Sequence, residues 1–182
     1  MPLIPIVNIF LVDTQRIEND ALRSFPSLAE IKIRRNLPDS LSIILTEREA
    51  VAIWCGEADK NCSLVDEKGA VFGKASLDSD LVKIFGEREL LTEEKIDQFL
   101  GIRSKLEGKL DTGTTKAFFA SDERLNLETA EGWQVYLNLK GDLDWQIEEL
   151  ALVLEKQIPQ EKRKNLEYID LRFSRVYYRF TK

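Results

Sequence analysis

The sequence predicts an α+β fold: a helix and a β-hairpin first, then a mixed β-sheet section with helices packed on it, and last an exposed edge strand. Three observations carry this. Short runs that alternate apolar and polar residues recur from Leu28 to Phe180, the signature of half-buried strands. Two longer stretches, Thr92–Gly108 and Asp142–Ile158, keep helical spacing instead. At 182 residues, 43% hydrophobic and 32% charged, the chain is large enough to bury a real core.

The elements follow in order. An apolar run, Leu3–Val12, opens the chain, and Asp13 or Thr14 then caps a helix whose apolar positions Ile17, Ala21, Leu22 and Phe25 keep helical spacing up to Pro26. From Leu28 to Arg35 the pattern changes to alternation, with Ile31, Ile33 and Arg35 opposite Glu30, Lys32 and Arg34. Pro38-Asp39 supplies turn chemistry, and Leu41, Ile43 and Leu45 resume the alternation as the second strand of a hairpin.

Ala50–Trp54 begins the strand-rich section. Leu64-Val65 and Val71-Phe72 flank Asp66-Glu67-Lys68-Gly69, a tight turn with Gly69 in the left-handed conformation. Thr92, Glu93 and Glu94 open a helix carrying Ile96, Phe99, Leu100 and Leu106, which closes near Gly108; acidic residues complement the helix dipole in that first turn. Lys116–Ala120, Leu125–Leu127 and Trp133–Leu139 read as strands, the last with Trp133, Val135, Leu137 and Leu139 on one side. Asp142 caps a helix with Leu143, Ile147, Leu150, Ala151, Leu154 and Ile158 on one face, Pro159 ends it, and Gln160–Asn165 is a polar connector.

Composition excludes several function classes. Histidine is absent, which removes histidine-based triads, histidine general bases and the commonest zinc ligand. A net charge of −6 argues against general nucleic-acid binding; the basic residues near Arg34 and Arg35 and from Lys162 onward suit an acidic protein partner better. Asp66 with Glu67, and Glu93 with Glu94, are adjacent in a turn and a helix start, where solvation and capping explain them, so no catalytic residue is assigned. No cofactor or metal site is expected. Trp54, Trp133 and Trp145 fall at core-facing or helix-start positions and read as packing residues.

Cys55 and Cys62 bracket a polar loop. On spacing alone they read equally as a disulfide across the mouth of a hairpin, implying a compartment outside the cytosol, or as two reduced thiols. No segment approaches the roughly 20 apolar residues of a membrane-spanning helix. The opening run is shorter, is interrupted by Pro5 and Asn8, and lacks the features of a signal peptide.

The chain runs out on two alternating stretches broken at Ser174. Ile169, Leu171 and Phe173 fall on one side, and Val176, Tyr178 and Phe180 repeat the pattern; Arg172, Arg175, Tyr177 and Arg179 fall on the other. A terminal strand leaves unpaired backbone donors and acceptors, and an aromatic and arginine-rich face beside them suits strand addition by a partner. The same charges also serve to protect a free edge from aggregation, and on this stretch alone the two readings stand level.

Arg35, Pro38, Leu41, Ile43, Leu45, Glu47, Arg48 and Ala52 form the pattern R-x-x-P-x-x-L-x-I-x-L-x-E-R-x-x-x-A. It resembles the end of the POTRA domain in the FtsQ/DivIB family of bacterial cell-division proteins. Leu64-Val65-Asp66 with Gly69 and Phe72 resembles the next landmark of that family, and Tyr168-Ile169-Asp170-Leu171-Arg172-Phe173 its C-terminal Y-[IV]-D-L-R-[YF] strand. The three occur in the family's order across nearly the whole chain.

The resemblance implies a partial POTRA domain over residues 1–48 and an FtsQ/DivIB-type β domain over 49–182. It implies a non-enzymatic scaffold of the divisome, anchored by a single membrane span missing from this chain and with the present portion outside the cytoplasm. The partners implied are FtsB/FtsL-like divisome proteins and, through them, the septal peptidoglycan synthase. By position the partner-binding residues are Arg172 and Phe173, with Arg175, Val176, Tyr177, Arg179 and Phe180 in the pairing strand. A full POTRA domain begins with a strand and helix ahead of the helix near Ile17, so Met1 is expected not to be the natural start. A POTRA-type module of protein translocation or envelope assembly is the alternative; it calls for repeated POTRA units or a following barrel, and this sequence carries neither.

Overall fold

The structure is a computed structural model that describes residues 9–56, 61–76, 79–110 and 112–181. The first part of the opening apolar run, up to Asn8, and residues 57–60 of the loop between the cysteines lie outside the described residues. The chain divides into two units, Met1–Glu49 and Ala50–Lys182.

In the first unit a 3-10 turn, Ile9–Leu11, precedes helix α1 (Thr14–Ser24) and the antiparallel strands β1 (Leu28–Asn36) and β2 (Ser40–Glu47). Asp13, rather than Thr14, is the cap, its side chain accepting from Arg16 N at 3.0 Å. The predicted alternation sets the register: Ile31 faces Leu45, Ile33 faces Ile43 and Arg35 faces Leu41. α1 is tied to β1 where Glu18 Oε1 accepts from Ile33 N at 2.6 Å. The motif arginines act as local struts. Arg35 donates to the carbonyls of Ile9 and Val12, and Arg48 Nε to that of Pro26. Ile31 is the one buried hydrophobic residue among the described residues of this unit; Leu41, Ile43 and Leu45 are exposed.

The second unit is a mixed nine-stranded sheet in the order β11-β10-β9-β8-β7-β6-β3-β4-β5. Its strands are β3 (Ala52–Cys55), β4 (Cys62–Val65), β5 (Val71–Phe72), β6 (Lys83–Gly86), β7 (Thr114–Phe119), β8 (Arg124–Thr129), β9 (Gln134–Asn138), β10 (Leu166–Asp170) and β11 (Tyr177–Phe180). β3–β6, β6–β7 and β9–β10 pair in parallel, and the other neighbours antiparallel. Parallel neighbours need crossovers. Helix α2 (Glu93–Leu110) makes the one from β6 to β7, and α3 (Leu143–Lys156) with the single turn α4 (Gln160–Arg163) makes the one from β9 to β10.

Both long helices lay their apolar stripes on one sheet face. Ile96, Phe99, Ile102 and Leu106 of α2, and Ile147, Leu150, Val153 and Leu154 of α3, share one core with Ala117, Leu125, Leu127, Val135, Leu137 and Ile169. Trp133 is wholly buried, Trp54 packs partly against this core, and Trp145 is half-buried. Asp142 caps α3 by accepting from Trp145 N at 3.0 Å.

Three departures from the sequence reading concern the elements themselves. β6 was not expected, because four residues ending in glycine give too short an alternation to stand out. α2 runs on past Gly108 to Leu110; a helical glycine costs only about 1 kcal/mol relative to alanine. The connector after Pro159 contains the turn α4. Among the described residues no helix is long and apolar enough to cross a membrane.

Candidate partner-binding edge

The site begins where β10 ends. Leu166, Ile169 and Leu171 are buried and fix β10 in the core. The chain then leaves the ladder through a bend over residues 172–175 and returns antiparallel as β11, with Ile169 opposite Tyr178 and Asp170 opposite Tyr177. Val176 packs partly against the core and holds the near end of β11. At the far end Thr181 N donates to Asn165 O at 2.8 Å. From that bond, alternation turns the amides of Arg179 and Tyr177 towards β10 and those of Tyr178 and Phe180 outward. β11 is the last strand of the sheet on this side.

The structure distributes the candidate residues differently from the simple alternation. Ile169 and Leu171 are core residues as expected, but Phe173 is 54% exposed. Its side is not set by the strand, because β10 has already ended at Asp170. Tyr177 and Arg179 face the side of Asp170 and Tyr168, opposite the helices, whereas Tyr178 shares the side of Ile169 and reaches Gln157 of the α3 C-terminus at 3.4 Å. Phe180 meets Tyr178 edge to face, with ring centroids 5.8 Å apart. Arg175 is exposed in the bend, and Arg179 pairs with Glu167 at 3.0 Å.

Arg172 is half-buried and held by contacts within the chain. Its Nε and Nη2 donate to the two carboxylate oxygens of Asp170 at 2.8 and 2.6 Å, and its backbone N donates to the same carboxylate at 3.1 Å. This is the forked geometry of a strong arginine–carboxylate pair. Donating to Asp170 raises the affinity of the guanidinium for its proton still further. The guanidinium lies 5.5 Å from the ring centroid of Tyr136 and 5.3 Å from that of Phe173, and Phe173 meets Tyr177 edge to face at 5.9 Å. Tyr136 also stacks on Tyr168 at 5.1 Å and lies under Arg124 at 5.0 Å. Burial pushes the Tyr136 phenol up, against the lowering pull of Arg124. Tyr168, Asp170, Phe173 and Tyr177 line a shallow cavity of about 320 Å³ beside β11.

Sequence reasoning missed Tyr136 and Arg124, and named Asp170 only as part of the terminal motif. A signal for Tyr136 was present: in a strand with Trp133, Val135 and Leu137 inward, a tyrosine at 136 is an aromatic on the outer face, where packing does not require one. The cysteines occupy the opposite end of the sheet, joined as a disulfide between β3 and β4. Among the described residues no cluster is suited to a metal ion.

Comparison with known proteins agrees with these landmarks. Residues 52–172 match the family model described as Cell division protein FtsQ/DivIB, C-terminal, and residues 5–48 match the POTRA domain, FtsQ-type. The first match ends at Arg172, so β11 lies beyond it. The chain is 27% identical over 156 residues to Cell division protein FtsQ of Neisseria gonorrhoeae, covering 85% of this chain and 60% of that protein. It is 26% identical over 156 residues to FtsQ of Aliivibrio fischeri, covering 85% of this chain and 57% of that protein. The chain thus spans about three fifths of the length of the curated relatives it matches. A solved structure, the major extracytoplasmic domain of the trans isomer of the cell division protein DivIB from Geobacillus stearothermophilus, aligns with a TM-score of 0.41 and 13% identity, over 63% of this chain and 99% of that one. With a family match across two thirds of its residues and the family's motif residues at work in its own fold, the chain belongs to the FtsQ/DivIB family of cell division proteins.

Proposed function

We propose that this chain is the extracytoplasmic part of a non-enzymatic divisome scaffold, which takes a strand from an FtsB/FtsL-like partner onto the outer edge of β11 and so helps recruit and regulate septal peptidoglycan synthesis. Residues 1–48 are read as a partial POTRA domain and residues 49–182 as the β domain. Membrane attachment comes through a segment outside this chain. The observation that carries the reading is β11 itself: the last strand on its side of the sheet, with the amides of Tyr178 and Phe180 turned outward beside a shallow cavity lined by Tyr168, Asp170, Phe173 and Tyr177. Backbone pairing supplies affinity in this mode, while Arg172, Phe173, Arg175, Val176, Tyr177, Arg179 and Phe180 supply choice of partner. The disulfide agrees with an address outside the cytosol.

Calorimetry against the extracytoplasmic FtsB-like and FtsL-like segments of the same genome tests it. Tyr178→Pro removes an outward N–H and leaves the bonds to β10 in place, while Tyr178→Ala removes only the side chain. Binding by the parent and the alanine variant, with loss in a folded proline variant, is the expected result. Equal affinity in all three would refute edge-strand recognition.

A further inference from the structure

We propose that Tyr136 is a positioning residue for strand addition, holding Arg172, and through it Phe173, in the orientation that faces an incoming strand. The role rests on the strand-addition reading above. Tyr136 sits on β9, two strands in from the edge, opposite Asp170 in the parallel register. Its carbonyl accepts from Leu171 N at 2.9 Å, just after β10 ends, and its ring lies against the next side chain, Arg172. Beyond that point no ladder fixes the chain until β11 begins at Tyr177.

The Asp170 fork sets the plane of the guanidinium, and the backbone N of Arg172 anchors the same carboxylate, but neither contact covers a face of the cation. The Tyr136 ring supplies the second constraint by bounding the cation on one side. Its own orientation is fixed by Tyr168, stacked at 5.1 Å, and by Arg124 at 5.0 Å. Contacts then pass from the guanidinium to Phe173 at 5.3 Å and from Phe173 to Tyr177 on the edge strand at 5.9 Å. A row of ring, cation, ring and ring thus ties an inner strand to the bend and edge that meet the partner. The fold does not require an aromatic at this place, since position 136 lies on the sheet face turned away from both helices.

The test is calorimetry with the purified extracytoplasmic FtsB-like segment, using the parent, Tyr136→Leu, Tyr136→Phe, Arg172→Ala and the Tyr136→Leu/Arg172→Ala double variant. Thermal unfolding of each checks the fold. Tyr136→Leu should weaken binding about fivefold, the scale of one cation–ring contact, while Tyr136→Phe restores it. In the Arg172→Ala background the leucine substitution should add nothing, because the residue acts through Arg172. The Arg172 Nε–H resonance should lose its protection from exchange in Tyr136→Leu and keep it in Tyr136→Phe. Parent-like binding by Tyr136→Leu, or an equal loss with and without Arg172, overturns the positioning role alone. Failure of the parent to bind overturns the strand-addition reading and the positioning role together.

Discussion

Cys55 and Cys62 stand opposite each other on β3 and β4, joined as a disulfide with their Cα atoms 4.3 Å apart. Both are buried, in a small cluster with Ile53, Leu64, Ala75, Leu81 and Phe85 that is separate from the main core. Among the described residues no helix contributes to this cluster, so the bridge does part of the work that α2 and α3 do elsewhere. Replacing both cysteines by serine should lower the unfolding free energy by on the order of 2 kcal/mol, the chain-entropy value for so short a ring. Urea unfolding with and without reductant measures it, and coincident midpoints would show that the bridge adds nothing.

Gly69 gives a second prediction. Its φ is +75°, and a Cβ there would run into the backbone carbonyl of Leu91. The turn is closed from the other side by Asp66, whose carboxylate accepts from Ala70 N at 2.8 Å and Lys68 N at 3.0 Å. Gly69→Ala combines backbone strain with a clash that no side-chain rotation relieves, so it should destabilise the second unit by roughly 1–3 kcal/mol. Gly101, a helical glycine with open space around it, is the control: Gly101→Ala should be neutral or stabilising in the same denaturation experiment.

Elements with a long period were legible, as was the pairing across the two tight hairpins β1–β2 and β4–β5, but the pairing of strands distant in sequence was not. The inward set Trp133, Val135, Leu137 and Leu139 could be read from alternation because one face of β9 is completely covered, and the Asp142 cap from its place before a helical stripe. That β9 pairs in parallel with β10 does not follow from either period, since alternation encodes a face and not a neighbour. The alternation of β11 was readable from Val176, Tyr178 and Phe180; its place as the outermost strand comes from the pairing. The seat of Arg172 was not: it depends on Tyr136, 36 positions earlier and brought beside it only by the crossover through α3. Phe173 departs from the alternation because it lies in the bend past the end of β10 at Asp170.

Acid should loosen the contact between α2 and the turn after β7. Lys95 beside Asp122 holds that carboxyl below the ordinary aspartate value, with Lys140 adding to the effect. A carboxyl depressed in the folded state binds its proton more readily when unfolded, so its contribution is present above the unfolded value of about 3.9 and is lost as pH falls towards the lower folded value. A carbon-detected NMR titration should place Asp122 below a free aspartate in the parent and return it upward in Lys95→Ala. An unchanged titration in that variant would show that Lys95 is not the cause. Because Asp122 is exposed, the change in overall stability should be small.

Phe173 and Tyr177 separate stability from binding. Each is 54% exposed, and they meet edge to face at the rim of the cavity beside β11. A side chain that keeps over half its surface in water contributes little burial energy, so Phe173→Ala and Tyr177→Ala should each shift the unfolding midpoint only slightly. Covered by an added strand, the same rings become large rigid anchors, the type of residue whose truncation at an interface typically costs 2 kcal/mol or more. Each variant should therefore weaken binding of the FtsB-like segment by at least about tenfold while circular dichroism and melting remain close to the parent. The double variant should lose less than the product of the two single effects, since the rings touch each other and share one surface. Parent-like affinity in both single variants would move the binding surface away from this end of the sheet, even with the edge strand intact.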